Sequence, residues 1–190
     1  MFVKICGLKT PEAVQTAVDA GADAIGFVFA ESPRQVTPEE AKALVELVPR
    51  AVKRVAVMLH PSQQKLDSVL RVLGPVWIQT DASDFLDLDL NQAAKCVPVY
   101  RDGDVVPTQA GPILFEGGRS GQGELADWEQ AAEIADRQEL ILAGGLDPDN
   151  VARAVEFVKP WGVDVSSGIE SERGVKDLGL IKAFIEAARS

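Results

Sequence analysis

Hydrophobic and polar positions alternate along the chain in a pattern that predicts strands separated by helices. Eight short runs are dominated by apolar side chains, which is typical of strands covered on both faces. The predicted strands are FVKICG, ADAIGFVFA, KRVAVML, VWIQT, KCVPVY, PILFE, ELILAGG and GVDVSS. Most segments between them carry apolar residues at helical spacing, as Ala13, Val14, Ala17 and Val18 do.

Local signals place several helix ends. Thr37 is a good N-cap, because Pro38 suits the first helical position and Glu40 lies three residues after the cap. Gly74 is expected to end the helix before the fourth strand. The middle of the chain is less regular: residues 82–92 predict one short helix, and RDGDVVPTQAG is too short and too rich in glycine and proline for a full helix.

Strands that alternate with helices predict a parallel sheet. Eight such units favour a closed (β/α)8 barrel, the TIM barrel, over the alternative of an open doubly wound sheet. A chain of 190 residues is small for this fold, and the shortened region around strand five and its following segment explains the difference. Without a linker or low-complexity tract, residues 1–190 are predicted to form a single domain.

Composition narrows the classes of function. Acidic residues outnumber basic ones 29 to 19, and without a cluster of lysine and arginine we expect neither nucleic acid nor a membrane surface as partner. The N-terminus lacks the pattern of a signal peptide, and no apolar run reaches ~18 residues, so a soluble cytoplasmic protein is expected. Cys6 and Cys96 are predicted to be free thiols. Because His60 is the single histidine and no metal-ligand spacing occurs, acid–base chemistry is expected to use carboxylates, lysine or cysteine.

The ends of the last two predicted strands indicate a phosphate site. In a (β/α)8 barrel the active site lies at the carboxyl ends of the strands. Gly144 and Gly145 follow the seventh strand, and Ser167 and Gly168 follow the eighth. Small residues let backbone N–H groups approach a ligand closely, and these two loops commonly bind phosphate. A phosphorylated substrate is therefore expected, although glycines at strand ends can also serve only to turn the chain.

Cys6 ends the first strand and has two possible roles. A cysteine there can be a buried packing residue, or a base or nucleophile if nearby positive charge lowers its pKa from ~8.5. Lys4 shares the face of Cys6, and Asp164 lies on the eighth strand, which is the neighbour of the first in a closed barrel. We therefore predict an inward-facing Lys4–Asp164 ion pair. The alternative is that Lys4 extends to solvent.

Two further residues at strand ends are candidates for binding or catalysis. Arg34, after the second strand, could bind a carboxylate with its planar guanidinium group, or could lie on the surface. Asp127 precedes a helix, so an N-cap is its simplest role, and general acid catalysis would require its desolvation. His60 is followed by Pro61 and is expected in a surface loop.

Several segments together resemble a known family. The combination is similar to the phosphoribosylanthranilate isomerases of tryptophan biosynthesis over most of the chain. The resemblance implies a (β/α)8 barrel without metal or organic cofactor that catalyses an Amadori rearrangement of N-(5-phospho-β-D-ribosyl)anthranilate. The segments are KICGL at 4–8, GADAIGFVFAESPRQV at 21–36, GxGxxxDW at 121–128, LAGGLDPDNV at 142–151 and VDVSSGIESERGVKD at 163–177.

The resemblance also implies a role for each candidate. Cys6 matches the general base, Asp127 the general acid, and Arg34 the residue that holds the anthranilate carboxylate. The ends of strands seven and eight match the phosphate site. Monomer and homodimer both stay open.

Three positions depart from the family pattern, and two other interpretations remain. Asp81 replaces a histidine, Ala82 a glycine and Glu116 an aspartate, which leaves open how the sugar hydroxyls are held. Neighbouring phosphosugar barrels, such as indoleglycerol-phosphate synthases or ribulose-phosphate epimerases, need catalytic lysines and glutamates at other strand ends or metal-binding histidines that the chain lacks. A non-catalytic phosphosugar-binding barrel is disfavoured because Cys6 and Asp127 are both present.

Overall fold

Eight parallel strands form a closed barrel in the computed structural model, in which residues 1–90, 93, 95–118 and 123–190 are described. Each strand pairs with the next in sequence, and the eighth pairs with the first. This confirms the predicted (β/α)8 fold and its eight strands. The strands are β1 (Phe2–Cys6), β2 (Ala24–Val28), β3 (Lys53–Val57), β4 (Trp77–Asp81), β5 (Lys95–Arg101), β6 (Ile113–Glu116), β7 (Leu140–Leu142) and β8 (Gly162–Val165).

Six α-helices cover the barrel within the described residues. They are α1 (Pro11–Asp19), α2 (Pro38–Val45), α3 (Gln63–Leu73), α4 (Trp128–Ala135), α5 (Val151–Val158) and α6 (Leu178–Ala187). The predicted capping box is present, since the Glu40 amide donates to the Thr37 hydroxyl and the Glu40 carboxylate accepts from the Thr37 amide. Gly74 ends α3 with φ +72°. None of the helices in the described ranges is long and apolar enough to span a membrane.

The region around β5 is shortened, as predicted. The helix expected over residues 82–92 is a single 3₁₀ helix, Ala82–Leu86, and residues 91 and 92 lie outside the described part of the chain. Between β5 and β6 the described chain contains no helix. Side chains that follow α4 hold this connection instead: Gln138 accepts from the Gln109 amide at 3.0 Å, and Arg137 donates to the Val106 carbonyl at 2.9 Å.

Aromatic side chains close the amino-terminal end of the barrel. The Phe2 ring stacks on Trp161 at a centroid distance of 4.4 Å and on Trp77 at 6.0 Å. Above them lies a small apolar cluster, which comprises Val97, Val99, Leu114, Ile141 and Ala143. Because this end is filled with apolar side chains, the polar side chains of the barrel collect at the opposite, carboxyl end.

A short hairpin after β8 is a feature that the hydrophobic pattern does not predict. Its antiparallel strands are β9 (Glu170–Glu172) and β10 (Val175–Lys176). At its turn, Gly174 has φ +86°, and a Cβ there would lie 2.9 Å from the Pro33 carbonyl oxygen. The hairpin therefore packs directly on the loop that follows β2.

Candidate active site

A cavity of about 300 Å³ opens at the carboxyl ends of the strands. Its polar lining comes from the ends of β1, β4, β5, β6 and β8, from the loop after β2 and from the β9–β10 hairpin. The polar residues that line it include Cys6, Arg34, Gln79, Asp81, Arg101, Glu116, Asp164, Ser166 and Arg173. The described residues contain no group of three or more His, Cys, Asp or Glu side chains arranged to hold a metal ion.

Lys4 and Asp164 form the buried ion pair that the strand order predicts. They are register partners across β1 and β8, and the Lys4 Nζ atom lies 2.8 Å from Asp164 Oδ1. Burial by itself lowers the pKa of Lys4, but the interactions of its ammonium group with Asp164 and Cys6 outweigh burial, and the pKa is raised. Lys4 is therefore a charged ammonium group inside the barrel and does not extend to solvent.

The Cys6 thiol is buried beside this pair, with only 5% of the residue exposed. Burial and, to a smaller extent, the negative charge of Asp164 raise the pKa of the thiol, and together they exceed the lowering by the positive charges of Lys4 and Lys176. The condition stated for a catalytic thiolate, a pKa lowered by nearby positive charge, is therefore not met in this structure, and the role of Cys6 as base stays a prediction. The sulfur also explains a glycine on β2, since a Cβ at Gly26 would lie 2.9 Å from Cys6 Sγ.

Arg34 is buried in the cavity wall, where a carboxylate of the protein itself occupies one edge of its guanidinium group. Arg34 donates from Nε to Glu170 Oε1 at 2.6 Å and from Nη2 to Oε2 at 2.9 Å. Glu170 also accepts from Lys176 Nζ at 2.8 Å and from the Gly174 amide at 3.0 Å. The surface position considered for Arg34 is wrong, and its role toward a substrate carboxylate stays a prediction.

The bonds to Glu170 make a pH-dependent contribution to stability. Burial alone would raise the pKa of this carboxyl, but hydrogen bonds from Arg34, Gly174 and Lys176 lower it from 4.5 to about 2. Because the pKa is depressed in the folded state, the stabilisation is complete above about pH 4.5 and is lost as the pH falls through about 2.

We expect Glu170→Gln to reduce the free energy of unfolding at neutral pH, and the deficit relative to wild type to shrink as the pH falls. Urea unfolding at about pH 6 and about pH 3 measures the two differences. Glu172→Gln, on the same strand with an exposed side chain, is the matched control and should show no such trend. A deficit for Glu170→Gln that is equal at both pH values would contradict this assignment.

Asp127 is the N-cap of α4. Its Oδ1 atom accepts from the amides of Glu129 and Gln130 at 3.0 and 3.1 Å. The side chain is exposed, which differs from the desolvated environment expected for a general acid, and it does not line the 300 Å³ cavity. The loop before it includes residues 119–122, which lie outside the described part of the chain, and Gly121 of the GxGxxxDW motif is among them.

The glycines after β7 meet the loop that precedes α4. Gly144 and Gly145 have φ +84° and +61°, and Cβ atoms there would lie 2.7 Å from the Gly117 amide and 2.9 Å from Leu125 Cα and N. Both glycines and Ser167 line a small recess of about 40 Å³ between β7 and β8. Gly168 lies outside that lining, and a Cβ on it would collide with the Leu146 carbonyl oxygen. Close backbone packing thus accounts for these glycines, and phosphate binding stays a prediction.

Two of the three positions that depart from the family pattern, Asp81 and Glu116, lie beside a second arginine. Arg101, at the end of β5, donates to Asp81 Oδ1 at 2.6 Å and lies 3.6 Å from Glu116 Oε1. Ala82 begins the 3₁₀ helix after β4. His60 is exposed, as expected, and its Nδ1 atom lies 2.9 Å from Asp84 Oδ1. Arg101 follows the fifth predicted strand. The rule that active-site residues lie at the carboxyl ends of the strands would have identified it.

Gln79 is another cavity residue that the sequence did not indicate. It lies on β4 and is buried, yet its Oε1 atom has no hydrogen-bond partner among the described residues. A buried acceptor without a partner costs about 1–3 kcal/mol. Because the side chain lines the cavity, a hydroxyl donor on a bound molecule would relieve this cost.

Comparison with known proteins gives a consistent set of relatives. A family model described as N-(5'phosphoribosyl)anthranilate (PRA) isomerase matches residues 3–187. N-(5'-phosphoribosyl)anthranilate isomerase of Streptococcus pneumoniae (strain Taiwan19F-14) is 44% identical over 190 residues, which cover 98% of this chain and 95% of the relative. TrpF from Jonesia denitrificans has a TM-score of 0.83 at 33% identity, with 100% and 97% of the two chains covered.

One solved relative contains a bound molecule. A phosphoribosyl anthranilate isomerase in complex with reduced 1-(o-carboxyphenylamino)-1-deoxyribulose 5-phosphate has a TM-score of 0.82 at 30% identity. The match covers 100% of this chain and 98% of that chain. The similarity therefore extends over the whole barrel, including all eight strand ends.

Proposed function

The chain belongs to the N-(5'-phosphoribosyl)anthranilate isomerase family, and on this premise we propose which residues bind the substrate and which transfer protons. It is an isomerase of tryptophan biosynthesis, and it converts N-(5'-phosphoribosyl)anthranilate to 1-(2-carboxyphenylamino)-1-deoxy-D-ribulose 5-phosphate. The observation that carries the assignment of roles is the buried Cys6 thiol at the end of β1, which lines the cavity and lies beside the charged Lys4–Asp164 pair.

The substrate has a phosphate at one end and an aromatic carboxylate at the other, so the cavity must bind two anionic groups. The amides of Gly144, Gly145 and Gly168 and the Ser167 hydroxyl are the proposed phosphate donors. Arg34 is the proposed cation on the carboxylate side of the cavity. Between the two ends lies the sugar, and the Gln79 carbonyl, which has no partner among the described residues, is the proposed acceptor for one of its hydroxyls.

The rearrangement requires four proton transfers, and the first two are each assigned to one side chain. Asp127 protonates the ring oxygen of the furanose, so that the C1–O bond breaks and a Schiff base forms. Cys6, as the thiolate, removes the proton from C2, and the electrons of the C–H bond form an enolamine. Protonation at C1 and loss of the proton from the C2 hydroxyl give the ketone product. General acid and base catalysis of this kind contributes about 10²–10⁴-fold for each group.

Burial raises the pKa of Cys6, so the thiolate needs stabilisation, and the two neighbouring lysines provide it. Lys4 and Lys176 both favour the thiolate through their positive charge. Lys176 is itself held by Glu170 at 2.8 Å and by the Ser166 carbonyl at 2.7 Å. We assign Lys4 and Asp164 a supporting role: the pair keeps one positive charge fixed beside the sulfur.

For the general acid, Asp127→Asn is expected to lower kcat about 10²-fold while leaving stability unchanged. Asparagine is as good an N-cap as aspartate, so the variant keeps the cap of α4 and removes only the acidic proton. Steady-state kinetics and thermal unfolding of the same preparation measure both effects. Asp127→Ala is the comparison, because it loses both the N-cap and the acid. An Asp127→Asn enzyme with the kcat of wild type would exclude Asp127 as the general acid.

Genetic complementation tests the function independently of any residue assignment. Expression of the chain in a bacterial strain without its own phosphoribosylanthranilate isomerase should restore growth in medium that lacks tryptophan. A chain that is produced in folded form but does not restore growth would contradict the proposed function. In that case, binding of the product by the purified protein would support a non-catalytic phosphosugar-binding barrel.

We also propose that the protein acts in the cytoplasm as a monomer or homodimer, with a phosphorylated small molecule as partner and neither nucleic acid nor membrane. The formal charge of −10 supports this choice of partners. Light scattering of the purified protein distinguishes monomer from homodimer.

A further inference from the structure

We propose that Arg173, at the turn of the β9–β10 hairpin, is a specificity-determining residue that binds the aromatic carboxylate of the substrate. The proposal rests on the proposed function and adds to it a second cation on the carboxylate side of the cavity. Arg173 has an exposed side chain and lines the same 300 Å³ cavity as Cys6 and Arg34.

The ion pairs of the cavity distinguish Arg173 from the other two arginines that line it. Arg34 binds Glu170 through its Nε and Nη2 atoms. Arg101 binds Asp81 at 2.6 Å. In the described part of the chain, no carboxylate lies within ion-pair distance of Arg173 and no hydrogen bond involves its side chain. Among the three arginines that line the cavity, Arg173 is therefore the one whose charge is not compensated by a described acidic residue.

The backbone that carries Arg173 is held in place by partly buried hydrogen bonds. Arg173 and Gly174 form the turn between the two strands, and the positive φ of Gly174 is the conformation that a type II turn requires at its third position. The Gly174 amide donates to Glu170 at 3.0 Å, and Lys176 binds the same carboxylate at 2.8 Å. These bonds order the backbone next to Arg173 before a ligand binds, which limits the entropy that binding costs.

The charge of the cavity explains why such a cation is needed. Four of its lining residues are acidic, namely Glu31, Asp81, Glu116 and Asp164, and the chain as a whole has a formal charge of −10. Arg101 pairs with Asp81 and Lys4 pairs with Asp164, so these cations are already engaged with protein carboxylates. A cation without such a partner favours the approach of a substrate that is anionic at both ends. A guanidinium group suits this role because it binds a carboxylate through two parallel N–H donors.

The test is equilibrium binding of reduced 1-(2-carboxyphenylamino)-1-deoxyribulose 5-phosphate to wild type and to Arg173→Ala, by titration calorimetry. The dissociation constant should rise about 10- to 100-fold, as expected for the loss of charge-assisted hydrogen bonds. The same compound without its carboxylate should bind both proteins equally. Arg71→Ala, an exposed arginine on α3 away from the cavity, is the matched control and should bind like wild type.

Kinetics with phosphoribosylanthranilate give a second readout, in which Arg173→Ala should raise KM by a similar factor and leave kcat within about twofold. Arg173→Lys should recover part of the loss, because it keeps the charge without the planar pair of donors. Equal binding by wild type and Arg173→Ala, or the same loss with and without the ligand carboxylate, would overturn the proposal. An inactive wild type would contradict the proposed function, whereas the binding comparison would still decide the role of Arg173.

Discussion

Replacing Cys6 by alanine is expected to lower kcat about 10²-fold or more, because the proposed mechanism assigns removal of the C2 proton to its thiolate. The thiol is buried at the end of β1, and its nearest charged neighbour on the strand is Lys4, which is committed to Asp164. Steady-state turnover of phosphoribosylanthranilate measures the effect. Substrate binding should change little, since the side chain is small and the cavity wall around it is unchanged.

The raised pKa of Cys6 also predicts how the reaction depends on pH if the thiolate is the base. The thiolate is the active form of the base, so kcat/KM of the wild type should still be increasing at the ordinary cysteine pKa of ~8.5. Cys96→Ala is the matched control, because Cys96 lies near the start of β5, at the opposite end of the barrel, and should have wild-type rates and pH dependence. A Cys6→Ala enzyme with wild-type kcat would rule out the thiol as the base.

The largest effect on stability is expected for Lys4→Met, which should lower the free energy of unfolding by about 3–5 kcal/mol. The change removes the partner of Asp164 and leaves a buried carboxylate without a compensating charge. Removal of one member of a buried pair is costly for this reason, whereas the intact pair contributes little net stability. Urea unfolding measures the difference. Lys53→Met, at an exposed position on β3, is the control and should cost little.

The double variant Lys4→Met/Asp164→Leu separates the charge effect from the loss of packing. It should recover most of the stability lost in Lys4→Met, because no buried charge remains. Alkylation of Cys6 at a fixed pH should be slower in Lys4→Met than in wild type, since Lys4 favours the thiolate. Unfolding free energies that are equal for wild type and Lys4→Met would contradict the buried ion pair.

The barrel could be predicted from the sequence because its strands and helices each carry a local signal. The runs FVKICG and GVDVSS are apolar enough to be recognised as strands, and closure makes them neighbours. The pairing of Lys4 with Asp164 then follows from side-chain parity alone. The β9–β10 hairpin has no such signal, because ESERGVK is polar on both faces. Its position depends on Glu170, which binds Arg34 across 136 residues of sequence.

The site was predicted less completely, and each difference has a physical cause. The pKa of Cys6 depends on how far burial outweighs two nearby lysines, and a sequence does not give that balance. Arg34 was recognised as a cation, but its partner Glu170 is brought to it only by the folded hairpin. Gln79 has an ordinary apolar strand around it, and only the structure shows that its carbonyl is buried without a partner among the described residues.

The most direct measurement is an assay of the purified protein with freshly generated phosphoribosylanthranilate, in which the loss of anthranilate fluorescence is followed over time. The account predicts turnover by the wild type. It predicts that the rates of both Cys6→Ala and Asp127→Asn are reduced about 10²-fold or more. Chromatography should identify the product as the carboxyphenylamino deoxyribulose phosphate. A wild type that does not consume the substrate, or equal rates for all three proteins, would contradict the account.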